Sequence, residues 1–113
     1  MGKMILNGKE YAGSGSEWHE YSTSEKVVGT WIDGKPIYEK TFVKNISISN
    51  SWTDAGENIP NGRCISAFAL GATPTVAVVG EIRANGSVFL LNLRNYTSDI
   101  VSFTIQYTKT TDT

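Results

Sequence analysis

The 113-residue sequence predicts an all-β fold, namely an antiparallel β-sandwich or jelly-roll-like domain with a short N-terminal arm. Runs of β-branched and aromatic residues recur at a spacing of roughly ten residues, which is typical of sandwiches and barrels. Asp-Gly and Asn-Gly dipeptides separate several of these runs, as they do in β-hairpins. No window carries apolar residues at the helical spacing i, i+3, i+4, i+7 for more than a turn or two. We therefore expect about six to eight short strands and almost no helix.

The N-terminal residues are predicted to form an arm that is separate from the main domain. Met4-Ile5-Leu6 and Tyr11 flank Asn7-Gly8, which indicates a small hairpin or an extended arm. Residues 13–16 read Gly-Ser-Gly-Ser, the composition of a flexible linker. We assign residues 1–16 to the arm and linker, and residues 17–113 to the β-sandwich domain.

The first strong strand signal of the domain is a hairpin. Residues 27–32 and 35–43 are rich in β-branched and aromatic side chains, and Asp33-Gly34 separates them. The dipeptide predicts a type I′ turn, in which both central residues have positive φ. Pro36 follows the turn and cannot donate a ladder hydrogen bond, so the start of its strand is expected to lie on a sheet edge.

The second half of the chain repeats this pattern. Ile46 and Ile48 alternate with polar residues and predict a short strand of their own. Residues 65–70 form an apolar strand candidate behind the turn signal Asn61-Gly62, and residues 76–82 and 87–93 flank Ala84-Asn85-Gly86 as a second hairpin.

The last segment, residues 100–107, has the clearest alternation in the chain. It predicts a half-buried strand with Val101, Phe103, Ile105 and Tyr107 on the core face.

Charge and cysteine content exclude several classes of function. The net charge is −1 and the ten Lys and Arg residues are scattered, whereas nucleic-acid binding needs clustered positive charge. Cys64 is the single cysteine, so the chain offers neither an intrachain disulfide nor a zinc-binding cysteine pair. We expect Cys64 to be a buried thiol, and we expect no metal, no cofactor, no nucleic-acid partner and no membrane partner. The start of the chain lacks the features of a signal peptide, which predicts synthesis in a reducing cytoplasm.

The sequence shows no catalytic motif. His19 is the single histidine, so a nucleophilic site would have to pair it with Cys64 or with Ser51 and Asp54. No nucleophile signature accompanies these residues, and we interpret His19 as a surface histidine. A glycosidase needs a pair of carboxylates. The candidates in this chain lie in predicted loops, where a carboxylate is more often a solvated surface charge than a catalytic group; they are Glu17, Glu20, Glu25, Asp54 and Glu57. We expect no enzymatic activity and no catalytic residues.

Two tryptophans lead to different expectations. Trp31 lies in a predicted strand with Val27 and is expected in the core. Trp52 lies in a polar, turn-like stretch, Asn50-Ser51-Trp52-Thr53-Asp54. An exposed indole among hydrogen-bonding side chains is what a sugar-binding platform requires, so Trp52 is the candidate ligand-binding residue. The alternative is that Trp52 folds back and caps the edge of the core.

Three stretches of the sequence resemble a known group of proteins. Residues 21–41, YSTSEKVVGTWIDGKPIYEKT, resemble the C-terminal modules of bacteriophage and prophage tail fibre and receptor-binding proteins, and small phage virion proteins. The closing stretch IQYTKTTD, residues 105–112, and the opening MILNGKEY, residues 4–11, are similar to segments of the same proteins. The resemblance implies a virion component near the tail tip or fibre, with a β-sandwich-like fold and a trimeric state. It implies no catalytic residue.

These observations predict a non-enzymatic, tail- or fibre-associated structural protein of a phage or prophage virion that contributes to binding the host surface. The expected partners are further copies of the chain, with a trimer favoured, other tail proteins, and a glycan of the host cell surface. The arm supports an oligomer, because Met4, Ile5, Leu6 and Tyr11 need a surface against which to pack. Three alternatives remain: a stand-alone carbohydrate-binding module of a secreted system, an inert assembly or decoration protein, and a monomer with a frayed terminus.

Overall fold

The protein is all-β in its computed structural model, which describes residues 4–6, 9–11, 19–72 and 76–112. Within these residues there are nine strands and no helix, which confirms the predicted fold class. The strands are β1 (Met4–Leu6), β2 (Lys9–Tyr11), β3 (Lys26–Thr30), β4 (Pro36–Ile48), β5 (Thr53–Asn58), β6 (Gly62–Gly71), β7 (Val78–Ile82), β8 (Ser87–Asn92) and β9 (Ser98–Lys109).

Two antiparallel sheets build the sandwich. The described strands form a larger sheet in the order β3-β4-β9-β6 and a smaller one in the order β5-β8-β7. Their facing sides share one core, because alternate residues of each strand point to the same face. The core residues are Phe42, Ile48, Ala55, Ile59, Val88, Leu90, Ile100, Phe103, Ile105 and Tyr107.

The hairpin at Asp33-Gly34 exists, but its turn differs from the predicted type I′. The Trp31 N–H donates to the Lys35 carbonyl at 2.8 Å, and the Gly34 N–H donates to the Trp31 carbonyl at 2.9 Å. Gly34 has a φ of +88°, whereas among the described non-glycine residues a positive φ occurs at Asn61 alone. Asp33 therefore keeps a negative φ and the loop is a type I turn followed by a glycine bulge. The Asp33 side chain accepts a hydrogen bond from the Lys35 N–H at 3.0 Å, which stabilises this geometry.

The second hairpin uses the same loop. The Arg83 N–H donates to the Ser87 carbonyl at 2.9 Å, and the Gly86 N–H donates to the Arg83 carbonyl at 2.8 Å. Asn85 takes the place of the aspartate and accepts from the Ser87 N–H at 3.0 Å, and Gly86 has a φ of +89°. Asp33-Gly34 and Asn85-Gly86 thus form the same type of turn.

Pairing across the larger sheet bears on two expectations about β4. The strand as a whole is flanked by β3 and β9, but at Pro36, its first residue, it pairs with β3 alone, because pairing with β9 begins at Tyr38. The missing N–H of Pro36 is tolerated at this position. Ile46 and Ile48 belong to the same 13-residue strand, which continues through an irregularity between Val43 and Ile46.

Two predicted core residues are displaced by such irregularities. In β9 the register shifts next to Val101, so Ile100 becomes fully buried and Val101 is half-buried. In β3 the register shifts between Val27 and Gly29, and Trp31 is 39% exposed at the start of the turn rather than in the core. A single extra residue reverses the faces of every residue beyond it, which alternation alone does not reveal.

The N-terminal strands β1 and β2 pair antiparallel with each other, Met4 opposite Tyr11 and Leu6 opposite Lys9. They form a two-stranded sheet that pairs with no further strand among the described residues. The predicted boundary between residues 16 and 17 lies outside the described residues.

Candidate functional site

The segment that carries Trp52 lies at one end of the sandwich, beside a second loop. Residues 49–52 connect β4 to β5, and residues 93–97 connect β8 to β9. The Asn92 N–H donates to the Ser49 carbonyl at 2.9 Å, and the Asn50 side-chain amide donates to the Asn95 side-chain oxygen at 3.1 Å. The two loops are therefore held side by side by backbone and amide hydrogen bonds.

Asn92 holds the second loop in place. Its side chain is fully buried, and its amide group donates to the Tyr96 carbonyl at 3.0 Å while its oxygen accepts from the Arg94 N–H at 3.0 Å. A buried amide with both groups satisfied fixes the path of a loop. Sequence reasoning did not identify Asn92 or the loop after it, although the polar run at residues 94–98 was the available signal.

Three large side chains are exposed on these loops. Trp52 is 42% exposed, and Leu93 and Tyr96 are exposed as well. We call Trp52, Leu93 and Tyr96, with the paired amides Asn50 and Asn95, the loop-end surface. Trp52 is not among the buried core residues, and the stability of the Trp52→Ala variant tests the alternative that it caps the edge of the core. Flat apolar side chains next to amide groups are able to stack on a sugar ring and to bond its hydroxyls.

Other polar residues near Trp52 form hydrogen bonds with their own neighbours in the chain. The Thr53 hydroxyl donates to the Ser51 carbonyl at 3.2 Å, and the Asp54 carboxylate accepts from the Gly56 N–H at 2.9 Å. Asp54 therefore shapes a turn, and the amides of Asn50 and Asn95 are the more available polar partners for a ligand.

His19 contributes to a buried polar network on the outer face of the larger sheet. Its Nε2 atom lies 2.8 Å from a carboxylate oxygen of Glu39, whose side chain is fully buried. The Gln106 amide donates to the other Glu39 oxygen at 2.8 Å, and the Ser66 hydroxyl donates to the Gln106 oxygen at 3.2 Å. Every member has a partner, so the network holds the segment before β3 against the sheet.

The nucleophilic pairs considered from the sequence are not assembled. Cys64 faces the other sheet, where its thiol donates to the Gly80 carbonyl at 3.6 Å. Burial, with the nearby charge of Glu81, raises the pKa of this thiol to about 11, so it stays protonated at neutral pH. Glu39, the partner of His19, stands nine positions before the end of β4, whereas Ser51 lies in the loop beyond that end and Asp54 lies in β5 of the other sheet.

The carboxylates that the sequence offered for glycoside chemistry are scattered in the structure. Glu25 accepts hydrogen bonds from the Tyr107 hydroxyl and from Lys109, and Glu57 pairs with Lys44 at 2.9 Å. Glu17 lies outside the described residues. Each of these pairs joins separate parts of the chain, which is a structural role.

The ionised form of Glu25 is stabilised by its partners. Burial raises the pKa of this carboxyl group, but hydrogen bonds from Lys109 and Tyr107 outweigh burial, and the net pKa is lowered. Burial, together with the carboxylate of Glu25, also raises the pKa of Tyr107. The pair therefore stabilises the fold while Glu25 is ionised.

Acid should weaken the contribution of Glu25. Because its pKa is lower in the folded state, the stability that it contributes is present above its unfolded pKa and is lost as the pH falls through the folded value. We expect Glu25→Gln to lower the free energy of unfolding near neutral pH, and the difference from the parent protein to shrink as the pH falls from about 5 to about 3. Urea denaturation at a series of pH values measures this; Glu20→Gln, which removes the same charge at an exposed position, is the control. A difference that does not change with pH would contradict the assignment.

Neither a metal-binding cluster among the described residues nor a similar protein assigns a function to the chain. In the described parts of the chain, no cluster of three or more His, Cys, Asp or Glu side chains is able to hold a metal ion. Those same parts contain no helix that is long and apolar enough to cross a membrane. No protein-family model matches the chain, and neither curated proteins nor solved structures gave a match.

Proposed function

We propose that the chain is a non-enzymatic structural protein of a phage or prophage tail or fibre, and that it contributes to attachment to a glycan of the host cell surface. The resemblance of residues 21–41 to tail-fibre modules supports the virion role. The attachment role is supported by the loop-end surface. There Trp52 is exposed on one of two loops that a hydrogen bond between Asn50 and Asn95 joins.

The chemistry of that surface favours a sugar over other ligands. Asn50 and Asn95 bond each other and supply donors and acceptors without charge. Trp52 supplies a flat apolar face, which stacks on the C–H face of a sugar ring. Arg94, exposed between Leu93 and Asn95, is the one charged side chain of the two loops, so the site suits a polysaccharide, including one that carries anionic groups.

Replacing Trp52 is expected to reduce binding without unfolding the protein. We expect Trp52→Ala to weaken attachment to purified host cell-wall polysaccharide by roughly tenfold or more, the equivalent of about 1.4 kcal/mol. The melting temperature should stay close to that of the parent protein, because the indole is exposed. Binding is measured by calorimetry or by a glycan array.

A second exposed tryptophan provides the matched control. Trp31 is 39% exposed at the turn between β3 and β4, outside the loop-end surface. Trp31→Ala should leave polysaccharide binding unchanged. Equal losses in both variants would indicate non-specific adhesion, and a parent protein that binds no glycan would favour an inert decoration protein.

The alternative function, a stand-alone carbohydrate-binding module, uses the same surface. The two proposals differ in their partners, since a tail protein should also associate with other virion proteins. Recovery of the chain in purified virions, detected by mass spectrometry, supports the tail protein, and recovery in a secreted fraction without virions supports the module.

A further inference from the structure

A cleft opens on the larger sheet near the loop-end surface. Its volume is about 440 Å³, within the range of about 300–1,000 Å³ that small-molecule sites occupy. The described residues that line it include Asn45, Ile46 and Ser47 of β4, Asp99 and Val101 of β9, and Ala72 just after β6. The cleft therefore has the size of a ligand site, and the side chains of its walls decide which ligand fits.

Two irregularities in strand pairing coincide at this cleft. The register shifts where β4 pairs with β9, and it shifts again where β6 pairs with β9. Both shifts fall at one point of β9, because Ile100 and Ser102 are paired with both neighbouring strands and Val101 between them with neither. β-Bulges bend strands and redirect side chains, and they are common next to functional sites. Their coincidence here accounts for a cleft in an otherwise continuous sheet.

The walls of the cleft combine polar groups with apolar surface. Asp99 is exposed and is the one charged side chain among the described residues that line the cleft. It accepts a hydrogen bond from the Ser47 hydroxyl, which leaves most of its acceptor capacity open. The Asn45 side-chain amide is exposed and forms no hydrogen bond with another described residue. Ala72 and Val101 add apolar surface.

These walls suit a sugar ring that carries no acidic group. The Asp99 carboxylate is able to accept hydrogen bonds from sugar hydroxyls, and such charge-assisted bonds are roughly twice as strong as those between neutral groups. The Asn45 amide supplies both a donor and an acceptor. A carboxylate or phosphate on the ligand would be repelled by Asp99, and no lysine or arginine in the described walls offsets that repulsion.

The cleft continues from the loop-end surface. Ser47 and Asp99 are paired across β4 and β9. Ser47 stands two residues before the loop 49–52, and Asp99 stands two residues after the loop 93–97. The chain from Ser47 to Asn50 spans at most about 11 Å. A single oligosaccharide is therefore able to contact the cleft and the loop-end surface together.

We propose that this cleft is a second sugar subsite, which holds a further unit of the glycan bound at the loop-end surface. Asp99 and Asn45 bond that unit, and Asp99 selects one with free hydroxyl or protonated amino groups over one with a carboxylate or phosphate. The inference rests on the proposed attachment to a glycan, and it adds the chemical class of the sugar unit.

The dependence of affinity on oligosaccharide length tests the subsite. The probes are oligosaccharide series of increasing length on a glycan array, followed by calorimetry with the series that binds. We expect the affinity of the parent protein to rise with length. Asp99→Asn should weaken binding of the longer members by about tenfold and leave binding of the shortest ones unchanged. Glu20→Gln, which removes the same charge at an exposed position outside the cleft, is the control.

A second variant blocks the cleft without altering its polar groups. Ala72 is exposed, so Ala72→Phe should fold normally and fill part of the cleft. We expect it to abolish the rise of affinity with length, as Asp99→Asn does. Circular dichroism checks that each variant is folded.

The charge of the ligand tests the selectivity. Each bound oligosaccharide is compared with the same backbone carrying carboxylate groups. We expect Asp99→Asn to raise the affinity for the carboxylated form, relative to the uncharged form, by at least about fivefold over the parent protein. Arg94 is present in both proteins, so it does not affect this comparison. An unchanged ratio would overturn the selectivity.

The outcomes separate the subsite from the attachment role. If Trp52→Ala weakens binding while Asp99→Asn and Ala72→Phe bind every length like the parent protein, the subsite is overturned and the attachment role stands. If both cleft variants weaken binding and Trp52→Ala does not, the cleft binds the glycan and the role of the loop-end surface is overturned. A parent protein that binds no glycan overturns both.

Discussion

Gly80→Ala is expected to lower the free energy of unfolding by about 2–3 kcal/mol, a large effect for one methyl group. Gly80 in β7 lies close against β6 of the larger sheet. A Cβ atom at this position would stand 2.5 Å from the Cβ of Ala67 in β6, and 3.3 Å from a methyl group of Leu90. The Ala67 methyl is attached directly to the backbone, so relief requires β6 and β7 to move apart.

The same contact predicts a rescue. Ala67→Gly removes the opposing methyl, so the double variant Ala67→Gly/Gly80→Ala moves one methyl from the larger sheet to the smaller one. We expect the double variant to recover most of the stability that Gly80→Ala loses, and the double-mutant cycle to report a coupling above about 1 kcal/mol. Urea denaturation of the four proteins measures it. Strictly additive effects would show that the sheets do not meet at these two residues.

Gly29→Ala is the control for the intrinsic cost of replacing a strand glycine. Gly29 lies in the edge strand β3, and a Cβ there would meet its nearest neighbour, a methyl group of Ile37, at the ordinary distance of 3.7 Å. We expect a change of less than about 0.5 kcal/mol, since surface substitutions of this kind are usually mild.

Gly86→Val is expected to be the second large effect, and Gly34→Val provides its matched reference. Both glycines occupy the same position of the same turn type, with φ of +89° and +88°. A β-branched residue is strained at this φ, which costs about 1–3 kcal/mol at either site. At Gly34 nothing lies within 4 Å of the added Cβ, whereas at Gly86 the Asn58 side-chain oxygen would lie 2.8 Å away and the Ile59 carbonyl oxygen 3.1 Å away.

The two turns therefore separate backbone strain from steric conflict. We expect Gly34→Val to lower the melting temperature by about 4–12 °C, at about 4 °C per kcal/mol for a chain of this length. Gly86→Val should lower it further, because the Ile59 carbonyl belongs to the backbone and cannot rotate away. Equal decreases in melting temperature would mean that the residues around Gly86 move aside without destabilising the protein. An unchanged melting temperature for Gly34→Val would mean that its turn is absent.

The features that were predictable from the sequence are local ones. The strands follow from alternation and β-branched composition, and both hairpins follow from Asp33-Gly34 and Asn85-Gly86, where glycine accepts a positive φ. The exposure of Trp52 also followed from its neighbours, because a polar stretch between two strands is a loop. Each of these depends on a few adjacent residues, so no knowledge of the rest of the chain is needed.

The faces and partners of those strands depend on contacts that are distant in sequence. Trp31 and Val101 were placed on the core face by alternation, and a register shift in β3 and another in β9 moved them off it. Glu39 carries a carboxyl group and is nevertheless buried, because Gln106, which lies 67 positions later, and His19 supply its hydrogen-bond partners. Loop 93–97 became part of the candidate site only because β5 and β8 pair and bring it beside Trp52. Such features arise from the pairing of strands that are far apart in the sequence, since hydrogen bonding and burial across those pairings decide which side chains meet.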